Sequence, residues 1–223
     1  MKTYLVAIVT LVFFSIPALG AAAADQPGPY VSGFLGTSFA RDATVSGFDS
    51  FDNTTFSDRV TFDPGIYVGG SGGYDFGFLR LEGELSYRNA PIETVTASNG
   101  GRFRNVDGDL GAFATMFNMF FDLHNPSRVT PYLGGGIGFA TLHLSDTSGF
   151  DNAGKVILYD DSNETVFASQ VGAGMDIAIN SYYSLDIGYR YFITDKAQLD
   201  GDFISSNLKL ESHNAMVGFK FKF

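Results

Sequence analysis

His143 and Ser145 stand two residues apart, with Glu164 beyond the polar stretch that follows, and together they could activate a hydroxyl. A histidine takes the serine proton, an acid orients the histidine, and the serine attacks an acyl ester. One His-x-Ser pair arises easily by chance, and polar residues at a strand end explain it better. A second set is denser. Arg80, Glu82 and Glu84 alternate with Leu79, Leu81 and Leu85, while Asp186 and Arg190 alternate with Leu185, Ile187, Tyr189 and Tyr191. Asp176 and Lys220 hold similar places in two further segments. Paired carboxylates such as Glu82 and Glu84 can do acid–base work, but no substrate cleft accompanies them. Charges of both signs spaced two apart suit a narrow interior that must satisfy buried charge by pairing. A third set, Asp146, Asp151, Asp160, Asp161 and Glu164 against Lys155, lacks the ordered ligand spacing of a calcium loop and reads as a solvated acidic loop. His124 and His213 have no ligand neighbourhood, so neither metal nor cofactor is expected.

The elements that must position these groups are strands. At the end of the chain Ala215, Val217, Phe219, Phe221 and Phe223 alternate with Met216, Gly218, Lys220 and Lys222. Successive strand side chains point to opposite faces, so this segment has one apolar face and one partly charged face. Similar segments recur back through the chain, and no stretch of helical period follows the first twenty or so residues. A sheet that is apolar outside and polar inside, with no second layer to cover it, fits a closed barrel in a bilayer.

Composition narrows the class. Lys2, the apolar run from Leu5 to Ile16, Pro17 and the small-residue tract from Ala18 to Ala24 have the order of a secretory signal. Cleavage after Gly20 and after Ala24 both fit; Asp25-Gln26-Pro27 favours the second, giving a signal over 1–24 and a barrel domain over 25–223. Removing Lys2 leaves 13 basic against 24 acidic side chains, a poor balance for a nucleic-acid binder. The absence of cysteine excludes disulfides and thiolate metal sites.

Eight strands are expected, over about 30–39, 65–76, 78–88, 106–121, 129–144, 165–179, 182–193 and up to 223. Their connections alternate in length. Residues 40–62, the loop with Asn99-Gly100-Gly101, residues 145–163 and residues 194–207 are long or medium; Gly77, residues 122–128 and Asn180-Ser181 are short. Short periplasmic turns and longer outer loops are the habit of an eight-stranded antiparallel up-and-down transmembrane barrel, an all-β fold. The alternation places Leu79, Leu81, Leu85, Tyr87, Phe113, Phe117, Met119, Phe121, Val171, Met175 and Ile177 toward lipid. Arg80, Glu82, Glu84, Asn118, Gln170, Asp176, Asp186, Arg190 and Lys220 then face the lumen. The first strand is ambiguous at Phe34-Leu35. Leu208 and Leu210 fall on the opposite parity to Phe219, which suggests a bulge or an extramembrane extension near Ser212. Tyr74, Tyr132, Tyr182 and Phe223 are assigned to a periplasmic aromatic girdle, and Tyr87, Tyr189 and Tyr191 to an outer one.

The run Gly73-Tyr74-Asp75-Phe76-Gly77-Phe78-Leu79-Arg80-Leu81-Glu82-Gly83-Glu84-Leu85-Ser86-Tyr87-Arg88 resembles the second hairpin of the small outer-membrane beta-barrel domain family, the opacity-protein and porin-like barrels of Gram-negative bacteria. Met116-Phe117-Asn118 and Pro131-Tyr132-Leu133-Gly134-Gly135-Gly136-Ile137-Gly138 resemble its middle strands. The closing Phe219, Phe221 and Phe223 look like the signal read by the barrel assembly machinery. The resemblance implies a bacterial outer-membrane location and brings no catalytic residues. His143, Ser145 and Glu164 resemble, in arrangement only, barrel-type lipid A deacylases.

The leading functional expectation is a non-enzymatic envelope protein with a structural or surface-interaction role. Its lumen would be plugged by Arg80, Glu82, Glu84, Asp176, Asp186, Arg190 and Lys220. Its expected partners are outer-membrane lipid, lipopolysaccharide, the assembly machinery and an extracellular ligand met by the outer loops. The alternative is a small passive porin-like channel, because Gly134, Gly136, Gly138, Gly172, Gly174 and Gly188 face inward and could leave space. Lipid A deacylation is a remote third reading.

Overall fold

Period-two alternation is realised almost throughout. The computed structural model describes residues 27–223 apart from 50–53, 98–99, 105, 107, 124, 126, 146, 152–153, 160–161 and 201–203. The expected signal over 1–24, His124, and the acids Asp146, Asp160 and Asp161 lie outside the described residues. In chain order the strands are β1 (Gly28–Ala40), β2 (Ala43–Asp49), β3 (Thr54–Phe62), β4 (Gly65–Asp75), β5 (Leu79–Thr96), β6 (Arg102–Arg104), β7 (Asp109–Asp122) and β8 (Val129–Leu144). There follow β9 (Thr147–Asp151), β10 (Gly154–Tyr159), β11 (Ser162–Ala178), β12 (Tyr183–Thr194), β13 (Ala197–Asp200), β14 (Ile204–Leu208) and β15 (Glu211–Lys222).

Eight of these, β1, β4, β5, β7, β8, β11, β12 and β15, pair antiparallel, each with the next. The ring closes where β15 returns to β1, from Tyr30↔Lys222 to Ala40↔Ser212. Closure leaves no edge, so every backbone group at membrane depth has a partner. The turns on the side of the termini are tight. Gly77 takes φ +96°, a left-handed conformation open to glycine, and its N–H donates to Asp75 Oδ1 at 2.7 Å. Asn180 Oδ1 accepts the N–H groups of Tyr182 and Tyr183 at 2.8 and 2.9 Å. Outside, Leu35, Leu85, Phe117, Ile137, Val171 and Phe219 form the exposed apolar surface that lipid must cover.

Several expectations change at the other end. Segments 40–62, 145–163 and 194–207, read as loops, contain strands. β13, β14, β2 and β3 join the upper part of β5 in a continuous antiparallel sheet, and β6 pairs with β5 beside it. β9 and β10 make a separate hairpin. This crown continues the barrel wall outward. Polar composition hid it, because strands wet on one face carry only every second apolar residue.

The facing of the first strand is settled: Phe34 is buried and Leu35 is 70% exposed. No bulge occurs near Ser212, since β15 pairs with β1 and β12 without a register shift. Leu208 and Leu210 do lie on the opposite parity to Phe219, because they point inward. The interior at that height is mainly apolar. Leu110, Leu142, Leu144, Phe192, Leu208 and Leu210 belong to one buried cluster with Val45, Val60 and Ile92 of the crown. Burying each such side chain contributes roughly 1.5–3 kcal/mol against water exposure.

Candidate functional site

The periplasmic half of the lumen is polar and densely filled. In β5, Arg80, Glu82, Glu84, Ser86 and Arg88 are all buried, as alternation requires. Arg80 forms a short ion pair with Asp122, Nε to Oδ2 at 2.8 Å, and lies 3.9 Å from Asp176. Lys220 pairs with Asp176. Lys222 reaches Asp75 at 2.7 Å. Those pairs make the layer nearest the termini.

Above it the plug is held mainly by hydrogen bonds and ring contacts. Glu82 accepts from Tyr30 at 2.6 Å, from Ser71 at 3.1 Å and from Asn118 at 3.3 Å. Glu84 accepts from Asn118 and Gln170, each at 2.9 Å, and from Tyr67 at 3.1 Å. Asp186 accepts from the Tyr132 hydroxyl at 2.7 Å. The guanidinium of Arg190 lies 4.4 Å from the Phe120 ring centre and that of Arg80 lies 4.6 Å from Tyr132. Arg88 tops the stack, 3.6 Å from the Phe192 ring centre and 4.8 Å from Tyr67, with Ser86 accepting from it at 3.0 Å. A cation over a ring face gains without needing an anion.

The seven charged residues singled out from sequence thus occupy one stack, but they do not all pair with one another. Arg88, on the inward parity of Arg80, Glu82 and Glu84, completes it as that alternation requires, and Asp122, Tyr30, Tyr67 and Phe120 join it without having been singled out. Asp122 and Phe120 share the parity of Asn118, already assigned inward, so their signal was available; Tyr30 and Tyr67 lie on strands whose facing the alternation left open. Tyr132 needs correction. It is 2% exposed and faces the lumen, so it is not a girdle residue; the lipid-facing neighbour is Leu133.

The inward glycines leave less room than expected. A Cβ on Gly172 would come within 2.6 Å of Arg190, and one on Gly188 within 2.7 Å of the Tyr132 hydroxyl. On Gly134 it would strike the Met119 carbonyl of the adjacent strand. These positions are glycine because larger side chains and neighbouring backbone already fill the space. The inward glycines thus lend no support to a channel.

The candidate nucleophilic set does not converge. His143 Nδ1 lies 2.8 Å from Asn163 Oδ1. Ser145 Oγ accepts from the Asp109 N–H at 2.8 Å and lies 3.1 Å from both its carbonyl and Oδ1. Glu164 is registered against Leu142, whose side chain is inward, whereas His143 is registered against Asn163 on the outward face. Glu164 and His143 are thereby on opposite faces of the wall.

At the outer rim His213 Nδ1 meets the Tyr189 hydroxyl at 2.5 Å, and its ring lies 5.1 Å from Tyr191. The Tyr191 hydroxyl donates to Glu211 at 3.0 Å, and Glu211 also pairs with Arg41 at 2.9 Å and Lys209 at 3.1 Å.

An edgeless ring of eight strands, apolar outside and plugged within, defines a transmembrane barrel of the bacterial outer-membrane type. The chain belongs to the outer membrane protein beta-barrel domain family, which matches residues 6–223. It is 26% identical over 245 residues to the outer membrane protein PagN of Salmonella typhimurium, covering 93% of this chain and 95% of that one. It is also 26% identical over 210 residues to the 31 kDa outer-membrane immunogenic protein of Brucella melitensis, covering 86% and 80% respectively. Among solved structures, OprG of Pseudomonas aeruginosa superposes with a TM-score of 0.58 at 16% identity over 90% of this chain and 98% of that one, a likeness of fold. This is an outer-membrane β-barrel protein of a Gram-negative type.

Proposed function

We propose that this barrel is a non-enzymatic anchor that displays its crown to molecules outside the cell. The carrying observation is the division of labour along the barrel axis. Polar side chains from all eight strands fill one half, an apolar cluster fills the other, and the chain beyond is built into paired strands. Such a body is suited to holding a surface in place. The separation of Glu164 from His143 supports a non-enzymatic reading over lipid A deacylation.

In this reading residues 1–24 are the cleaved signal, and 25–223 form the barrel domain. The buried stack of Arg80, Glu82, Glu84, Asp176, Asp186, Arg190 and Lys220 serves as a structural plug. Phe219, Phe221 and Phe223 serve as the assembly signal. The outward surface meets lipid and lipopolysaccharide. The extracellular partner is a cationic one, because the β9–β10 segment carries Asp146, Asp151, Asp160 and Asp161 against Lys155.

Replacing residues 146–161, which span the β9–β10 hairpin and all four of these acids, with a short Gly-Ser turn tests this. Cells displaying the variant should retain the folded, heat-modifiable barrel and lose adherence to a polylysine-coated surface relative to cells with the parent protein. Equal adherence by both would remove the crown from the contact.

A further inference from the structure

Where the crown leaves the barrel, one seam of the wall opens. β1 and β15 stay paired up to Ala40↔Ser212, and β2 and β14 resume pairing at Ser46↔Asn207. Five residues on one side and four on the other intervene. They border a cleft of about 280 Å³ lined by Arg41, Asp42, Ala43, Thr44, Lys209 and Glu211.

We propose that this cleft holds a phosphoryl group of an outer-leaflet glycolipid, with Arg41 and Lys209 as cationic ligands above an aromatic shelf of Tyr191, His213 and Phe39. The register sets these groups in rows. Ile193, Glu211 and Arg41 lie side by side across three strands, and Tyr191, His213 and Phe39 form the row beneath. Further down come Tyr189, Ala215 and Thr37, then Ile187, Val217 and Leu35, a lipid-facing column that acyl chains would cover. Cations directly above aromatic residues, above an apolar column, match the order of phosphate, sugar and acyl chain in such a lipid.

Charge agrees with this order. Glu211 is shared by two cations, which leaves one positive charge in excess, while Asp42 is matched by Arg59 at 3.0 Å. The Arg41 and Lys209 side chains are 60% and 42% exposed. A guanidinium has five donors and an ammonium three, more than one carboxylate can use. Phosphate oxygens accept such charge-assisted bonds well. On a chain of net charge −10, a cationic surplus at the rim is suited to an anion of the leaflet.

This deepens the lipid part of the proposed function and is independent of the crown's extracellular partner, so the hairpin replacement can fail without affecting it. The test uses the full-length protein in detergent micelles, with bound lipid counted by native mass spectrometry. Bisphosphorylated lipid A should be retained at least tenfold better than the same lipid stripped of phosphate. The double variant Arg41→Gln/Lys209→Gln, both positions being exposed, should keep its heat-modifiable fold and lose that preference. Equal retention of phosphorylated and dephosphorylated lipid by the parent protein would overturn the proposal, with no variant needed. So would an undiminished preference in the double variant. Displacement of lipid A by an equal concentration of inorganic phosphate would reassign the cleft to free phosphate.

Discussion

Tyr132 organises the periplasmic half of the lumen. Its hydroxyl donates to Asp186, and the Arg80 guanidinium lies against its ring. Gly174 and Gly188 provide the floor on which it rests. The glycines of β8 act in the same way on the wall itself. A Gly134→Ala methyl would meet the Met119 carbonyl, and backbone cannot rotate away as a side chain can. Gly134→Ala should therefore cost about 1–3 kcal/mol or prevent folding. Gly83→Ala, which meets nothing within 4 Å, should stay within about 0.5 kcal/mol of the parent. Urea unfolding in lipid vesicles measures both, and equal tolerance would show that β8 has slack.

The Arg80–Asp122 pair offers a second residue-scale measurement. Both side chains are 3% exposed, so Arg80→Met strands a carboxylate in the interior. The expected loss is about 3–5 kcal/mol, the range for breaking a buried pair. Adding Asp122→Leu removes the stranded charge and should restore most of that stability, because desolvation had offset much of the pair's attraction. A double variant no more stable than Arg80→Met would mean that Asp122 is satisfied by other groups.

Among the elements, β8 and β12 show how far alternation alone could be read. Strand number, antiparallel order and the inward face of β5 were legible, since Arg80, Glu82 and Glu84 against Leu79, Leu81 and Leu85 leave one arrangement that lipid tolerates. The outer parts of the same barrel were not. Leu142 and Leu144 in β8, Phe192 in β12, and Leu208 and Leu210 before β15 are apolar and inward, so alternation there shows period two without showing which face is which. Leu208 and Leu210 consequently suggested a bulge or an extramembrane extension; the pairing of β15 contains no bulge, and the extension is β14 in the crown. The crown was hidden for a related reason, since Val45 in β2 and Val60 in β3 find their apolar partners on strands distant in sequence. The candidate site was legible as a set of inward charges. Its completion by Tyr30 and Tyr67 needed cross-strand register.

The buried apolar cluster of Leu110, Leu142, Leu144, Phe192, Leu208 and Leu210 forms a collar beneath the crown. Leu142 is fully buried beneath the crown, and Leu133 lies on the lipid face of the same strand. Leu142→Asn should lose about 2–5 kcal/mol through missing packing, with a further cost for burying an amide. The crown should loosen first, seen as faster hydrogen exchange at β2 and β14 while β5 and β7 remain protected. Uniform exchange changes across all strands would show that collar and barrel wall unfold as one unit.

For the molecule as a whole, the question is whether the barrel conducts. Eight strands enclose an interior just wide enough for side chains to fill it, and here two seals of different chemistry lie in series. Arg80, Asp122, Asp176 and Lys220 cross the periplasmic half, and the Glu82 and Glu84 networks with Arg190 and Arg88 follow. Beyond Arg88 the lumen is lined mainly by the apolar side chains of the collar, which solvate an ion poorly. Opening one seal leaves the other intact. Purified protein in a planar bilayer should accordingly give no reproducible unit steps, and Glu82→Ala and Arg190→Ala should be equally silent because the collar remains. Steps of fixed size in the parent protein, altered in amplitude or ion preference by either substitution, would establish a conducting lumen and return the protein to the porin-like class.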